Sequence, residues 1–326
     1  MGDDDTPRLA TGTPPAPAHT VSFPVTTLHD RALGAYLGLA VGDALGATVE
    51  FMTPGEIVAT YKVHRQIVGG GWLRLKPGQV TDDTQMCLAL GDAILSAESW
   101  DLSTVADAFV TWMRSRPPDI GNTCRRGIRR YMLDGSLSSP PAEDSAGNGA
   151  AMRNLPVALA FVSDPPAFAR CSIEQAHITH NHPLSDAATL ALGRMTQILL
   201  GGGDKVDCRR CANELVARHP QFRFDPWPGR TSGYIVDTTQ TVLDAFFGTS
   251  GFEECLVNVV NRGGDADTTG ALAGQLAGAC YGIGGIPERW VKRLDHSVAE
   301  RIRLQTHGLL ALPRPARAST LLSATS

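Results

Sequence analysis

Long apolar runs are missing from this chain of 326 residues. None approaches the roughly 20 residues that a membrane-spanning helix needs. A basic excess is missing too: the net charge is −4 and the pI near 6.1. That argues against general nucleic-acid binding, which needs a positive face. The first 20 residues hold Asp3, Asp4 and Asp5 and no apolar core of a signal peptide. The seven cysteines are odd in number and scattered, which fits reduced thiols in a cytoplasm better than a disulfide framework. Cys208 and Cys211 form a lone CxxC pair with no second pair to complete a zinc site. Strand-like alternation is almost absent, so the expected fold class is all-α, in a single domain.

What the chain does have is glycine at helical spacing and acids at helix starts. Residues 1–26 and 313–326 read as tails rich in Pro, Thr, Ser and Ala, leaving a folded domain over 27–312. From Leu28 to Ala47 the spacing predicts a helix with Gly34, Gly38, Gly42 and Gly46 along one line. Each glycine costs about 1 kcal/mol relative to alanine, so such a line implies that a second backbone approaches that face. Gly270, Gly274, Gly278 and Gly282 carry the matching pattern, and the two helices are expected to lie together at the centre of the fold. Asp43 and Glu50 flank the end of the first helix, where acids oppose the helix dipole and a site role can explain them.

Two stretches concentrate oxygen ligands. Thr81-Asp82-Asp83-Thr84 opens an apolar helix, and Gly263-Gly-Asp265-Ala-Asp267-Thr268 opens the second glycine-lined helix. Ordinary N-capping explains either one alone. Two together match a pair of hard cations, which require several oxygen ligands and bridging carboxylates. Three further segments are less specific. The small-residue turn around Gly147-Asn148-Gly149 can present backbone N–H groups to phosphate, and a helix from Met152 to Phe161 should follow it. The cluster His177, His180 and His182 suits a substrate hydrogen bond from His180 better than zinc. Ser185 or Asp186 is the expected N-cap of a helix running to Leu200.

The motifs Gly38-Leu-Ala-Val-Gly42-Asp43-Ala-Leu-Gly46, Thr81-Asp82-Asp83-Thr84-Gln85-Met86, Gly147-Asn-Gly-Ala-Ala-Met-Arg153, Thr179-His180-Asn-His-Pro183 and Gly263-Gly-Asp265-Ala-Asp267-Thr268-Thr-Gly270 occur in that order. Together they resemble the ADP-ribosylglycohydrolase family over about residues 28–295. Within it, Arg116-Pro-Pro-Asp119-Ile-Gly-Asn122 and Glu143 look most like the bacterial members that reactivate dinitrogenase reductase. The resemblance implies an all-α fold around a cleft with two Mn²⁺ or Mg²⁺ ions. It implies Thr81, Asp82, Asp83, Asp265, Asp267 and Thr268 as metal ligands. Asp119 becomes the first candidate for acid/base work and Glu50 the second. Asn122, Asn148, Gly149, His180 and Tyr234 become substrate contacts, Tyr234 by stacking on a ring. The implied reaction removes ADP-ribose from an arginine of dinitrogenase reductase, the iron protein of nitrogenase. The implied regulators are a PII signalling protein and an ammonium transporter that draws the cytoplasmic enzyme to the membrane. Two alternatives stay open: hydrolysis of another linkage such as ADP-ribosyl-serine, and a non-catalytic ADP-ribose-binding relative.

Overall fold

The computed structural model describes residues 26–312. The expected tails therefore lie outside the described residues, except for Thr26. The chain forms α1 (Leu28–Gly46), α2 (Pro54–Tyr61), α3 (Asp82–Ser96), α4 (Leu102–Arg114), α5 (Asn122–Asp134), α6 (Gly149–Met152), α7 (Leu155–Ala160), α8 (Pro165–His177), α9 (Pro183–Leu200), α10 (Lys205–Arg218), α11 (Ile235–Gly248), α12 (Phe252–Val260), α13 (Ala266–Tyr281), α14 (Glu288–Val291) and α15 (His296–Ala311). Among the described residues there is no β-strand, only isolated bridges from Gly70 to Leu75 and from Gly147 to Tyr234. The all-α expectation holds.

The glycine lines explain the centre. A Cβ on Gly42 would lie 1.9 Å from the carbonyl oxygen of Gly270, one on Gly38 2.2 Å from that of Gly274, and one on Gly34 2.4 Å from that of Gly278. Only residues without a side chain permit two backbones this close. The pairing runs in opposite directions, so α1 and α13 are antiparallel. Both are buried almost throughout, with α9, α11 and α12 packed on α13 and α15 on α1. The outer helices are amphipathic instead: α4 turns Val105, Phe109 and Trp112 inward and leaves its other face to solvent.

Local signals set several boundaries. Thr27 and Asp30 form a capping box that starts α1, and Thr53 with Glu56 does the same for α2. Two boundaries differ from expectation. The long helix to Leu200 begins at Pro183, with the His182 ring accepting from the Leu184 N–H at 3.1 Å. Proline suits the first helical position because its φ is already helical and its missing N–H would have no partner there. Ser185 donates to the Gly147 carbonyl, and Asp186 pairs with His177. The helix expected over 152–161 is split into α6 and α7, because Pro156 would drive its ring into the carbonyl of Met152 in a continuous helix.

Candidate active site

Because α1 and α13 are antiparallel, the C-terminal end of one lies beside the N-terminal end of the other. Asp43 and Glu50 thereby meet Asp265 and Asp267, more than 200 residues away in sequence. The start of α3 completes the arrangement, held by Asp43. This fully buried carboxylate accepts from the Thr81 N–H (3.0 and 3.1 Å), the Thr84 N–H (3.1 Å), and the hydroxyls of Thr81 (3.0 Å) and Thr84 (2.5 Å). Asp43 is thus the cap of a helix that is not its own. The unfavourable end of α1 is offset by the favourable N-terminal dipole of α3.

The expected ligands are released from capping. Thr81 and Asp265 occupy the N-cap positions of α3 and α13, yet neither side chain makes a capping bond. Carboxylate oxygens of Glu50, Asp265 and Asp267 converge within 4.8 Å of one another. Behind them Asp83 Oδ2 accepts from the Thr268 hydroxyl (3.2 Å), and the Thr81 hydroxyl oxygen, whose one proton is closest to Asp43, lies 3.3 Å from Asp83 and 3.4 Å from Asp267. Asp83 Oδ1 is buried without any partner. Asp82 Oδ2 accepts from the Gly121 N–H at 3.3 Å, and Asp265 Oδ2 from the Asn148 amide at 2.6 Å.

This crowding dominates the electrostatics. Burial, reinforced by the charges of Asp265, Asp119 and Asp82, raises Glu50 to about 8 although the Trp72 indole bond opposes the shift. Burial and Asp119 raise Asp82 to about 7. Burial, moderated by the bonds from Thr84 and Thr81, leaves Asp43 at about 6. Asp83 and Asp267 are pushed well above the carboxylate range by burial and by their acidic neighbours. Buried like charges of this kind call for a counter-charge. An oxygen-only donor set with an orphaned carboxylate oxygen fits a hard divalent cation.

A cavity of about 250 Å³ opens over the cluster. Glu50, Asp82, Asp119, Asn122, Asn148, Gly149, His180, Asp265, Asp267 and Thr268 line it. Thr81 and Asp83 are buried outside that lining. Tyr234 is the exception among the expected substrate contacts. Its side chain is half exposed and outside the lining, and its backbone pairs with Gly147. Asp119 is raised, mainly by burial, with Oδ1 accepting the Ile120 N–H at 2.8 Å. Glu50, read from sequence as a proton carrier, offers its oxygen to the same point as Asp265 and Asp267.

Residues the sequence reading passed over shape the rim. Phe51 has a φ of 62°, a left-handed backbone unusual for a bulky side chain. Its N–H donates to the Gly264 carbonyl at 2.7 Å, and the Gly264 N–H returns to Met52 at 2.9 Å. Gly263 and Gly264 are themselves left-handed, and a Cβ on Gly263 would sit 2.0 Å from the Met52 oxygen. This glycine pair therefore docks the 50–52 turn against the start of α13. Trp72 donates from its indole to Glu50 at 2.6 Å and packs 5.3 Å from the Phe51 ring. Both rings are more than half exposed beside the cavity. No periodicity marks them, since they sit on turns.

The family model described as ADP-ribosylglycohydrolase matches residues 24–318. The ADP-ribosyl-[dinitrogen reductase] glycohydrolase of Rhodospirillum rubrum is 58% identical over 88% of this chain and 97% of its own. The ADP-ribosylarginine hydrolase Tri1 of Pseudomonas putida is 34% identical over 82% of this chain and 75% of its own. A solved structure described as an ADP-ribosylglycohydrolase-related protein complex superposes with a TM-score of 0.77 at 35% identity, covering 88% of this chain and 99% of its own.

Proposed function

The chain belongs to the ADP-ribosylglycohydrolase family, and we propose that it hydrolyses the bond between ADP-ribose and an arginine of dinitrogenase reductase, restoring that protein to activity. The observation that carries this reading is the convergence of Glu50, Asp265 and Asp267 on the floor of a cavity that also holds Asn148, Gly149 and His180. A sugar hydroxyl pair suits the first group and a diphosphate the second. The 58% identity to the Rhodospirillum rubrum enzyme over nearly its full length supports the choice of protein substrate.

In this reading Thr81, Asp82, Asp83, Asp265, Asp267 and Thr268 hold two Mn²⁺ or Mg²⁺ ions, with Glu50 as a further carboxylate facing them. Bound cations would supply Lewis-acid charge to the ribose hydroxyls and make a water easier to deprotonate. The protein groups do the rest. The Gly149 backbone N–H holds the diphosphate, Asn148 braces that turn against Asp265 and Thr238, and His180 donates to an oxygen of the ligand. Asn122 steadies the ribose. Asp119 takes a proton from the attacking water and gives one to the departing guanidine nitrogen, as the C1–N bond breaks and the C1–O bond forms. The faces of Phe51 and Trp72 offer a cation–π surface to the guanidinium, which a serine-linked substrate would leave unused.

The regulatory reading takes a PII signalling protein and an ammonium transporter as partners, bringing a cytoplasmic enzyme to the membrane reversibly. No described helix is long and apolar enough to cross a bilayer. Co-purification with a PII protein tests that part. The central test is release of ADP-ribose, with Mn²⁺ present, from arginine-modified dinitrogenase reductase and from serine-modified peptides. Turnover confined to the serine linkage, or ADP-ribose binding without turnover, would overturn the assignment.

A further inference from the structure

Arg153 is fully buried, and no described carboxylate forms an ion pair with it. A desolvated charge without a counter-ion is costly, so neutral acceptors must hold it. Nε donates to Gln175 Oε1 at 2.8 Å. Nη2 donates to the Gln175 carbonyl at 2.9 Å and to the Thr179 hydroxyl oxygen at 2.8 Å. Nη1 meets only the sulfurs of Met86 and Cys124, and the guanidinium lies 4.6 Å over the Phe109 ring. Gln175 is locked in turn by its amide, which donates to the Ala150 carbonyl and to Asn154.

The bond to Thr179 has a directional consequence. A guanidinium can only donate, so the Thr179 oxygen must accept from it. The hydroxyl has one proton left to give, and its remaining partner is His180 Nδ1 at 2.7 Å. Were Nδ1 to donate instead, a buried hydroxyl proton would have no acceptor, at a cost of about 1–3 kcal/mol. We infer that Arg153, acting through Thr179, holds His180 as the tautomer protonated on Nε2, so that a single fixed N–H faces the cavity for a phosphate or ribose oxygen of the ligand.

Two further observations agree. Burial, with the charges of Arg153 and Arg126, depresses His180 to about 3, so the ring is neutral and its tautomer matters. His180 lines the cavity, and the ring lies against the turn that the proposed function assigns to the diphosphate. A Cβ on either Gly147 or Gly149 would come 3.0 Å from Nε2. Glycine at both positions keeps that nitrogen uncovered. Arg153 and Thr179 are thus positioning residues, and the identity of the ligand oxygen rests on the proposed function.

The test reads the tautomer directly in the full-length protein. Histidine ¹⁵N long-range correlation spectra, with the His180 signal assigned by loss in His180→Gln, should show a neutral ring protonated at Nε2 from pH 5.5 to 8. Thr179→Val keeps the volume and leaves Arg153 its bonds to Gln175. It should allow the Nδ1-protonated form to appear and weaken ADP-ribose binding by about 3- to 10-fold, the range of one neutral hydrogen bond. Thr179→Ser should restore both. A wild-type ring protonated at Nδ1, or an unchanged tautomer in Thr179→Val, would overturn the relay. A shifted tautomer with unchanged ADP-ribose affinity would overturn the ligand contact. A wild type that binds ADP-ribose but cleaves no arginine-linked substrate would count against the proposed reaction and leave the relay standing.

Discussion

Replacing Gly274 by alanine adds one methyl group where α13 meets α1. Its Cβ would lie 2.0 Å from the Gly38 carbonyl oxygen, whereas ordinary Cβ contacts begin at 3.4 Å. The two helices must therefore separate locally by about the difference, 3.4 − 2.0 = 1.4 Å. The obstructing atoms are backbone, so no rotamer change relieves them, and the cost belongs at the upper end of the overpacking range, about 3 kcal/mol or more. Helix propensity gives back about 1 kcal/mol for glycine to alanine. The net loss of about 2 kcal/mol or more corresponds to a fall in Tm of about 3 °C or more for a domain of this size. Thermal unfolding followed by circular dichroism measures it. Gly248→Ala is the internal control. Gly248 ends α11, has nothing within 4 Å of its added Cβ, and does not have a left-handed backbone. There the propensity gain acts alone, and Tm should stay level or rise slightly. If Gly274→Ala melts with or above the wild type, the close approach of α1 and α13 is not the reason for the glycine lines.

Asp265→Ala should abolish Mn²⁺ binding by calorimetry and abolish turnover; a fully active variant would reduce the acid at this position to a helix-start preference. Metal-free stability should fall as pH rises from about 5 to 8. Glu50, Asp82 and Asp43, raised to about 8, 7 and 6, keep protons in the folded state that the unfolded chain releases near pH 4, so unfolding becomes easier as those protons leave. Added Mn²⁺ should flatten that slope, and a metal-free Tm that climbs over the same interval would contradict the carboxylate crowding. Asp43→Ala strips the acceptor from two N–H groups and two hydroxyls at the start of α3. It should cost about 3 kcal/mol or more and weaken Mn²⁺ binding, with unchanged metal affinity the adverse outcome. Phe51→Ala should raise KM for the arginine-linked substrate about 2- to 30-fold and leave ADP-ribose affinity alone; equal loss on both would remove the cation–π contact.

The parts of the fold that were legible in the sequence are those whose cost is local. Four glycines at helical spacing are unfavourable in any isolated helix, so α1 and α13 announced a partner before any contact was known. Asp82 with Asp83, and Asp265 with Asp267, were legible for another reason: a helix start accounts for either pair alone, and it was the repetition that pointed to a shared site. What was not legible depends on pairs far apart in the chain. Asp43 is separated from Thr81 by 38 residues, and nothing near it says whose helix it caps. Arg153 looked like the end of a small-residue turn, and only its partners Gln175 and Thr179 give it a task. Phe51 and Trp72 sit on turns whose left-handed residues leave no periodic trace. The start of α9 was misjudged because Ser185 and Asp186 are good N-caps in general, while the Pro183 beside His182 decides the matter here.

The helix starts themselves bear on how capping and the proposed metal binding divide between the same residues. A helix N-terminus leaves N–H groups that favour negative charge. At α3 the Thr81 and Thr84 N–H groups are satisfied from outside, by Asp43, which leaves Asp82 to line the cleft and Asp83 to lie behind it. At α13 Asp265 stands at the N-cap position without a capping bond, and its Oδ2 turns to Asn148 instead. Two helix dipoles thus point their positive ends at one group of carboxylates, and still Asp83 Oδ1 is left without a partner. The dipoles are each worth only about half a charge, too little to balance Asp43, Glu50, Asp82, Asp83, Asp265 and Asp267 together. A site whose N-cap side chains make no capping bond, and which remains short of positive charge, is one that divalent cations would neutralise, and that is the ground on which Asp265 and Thr81 are proposed as ligands.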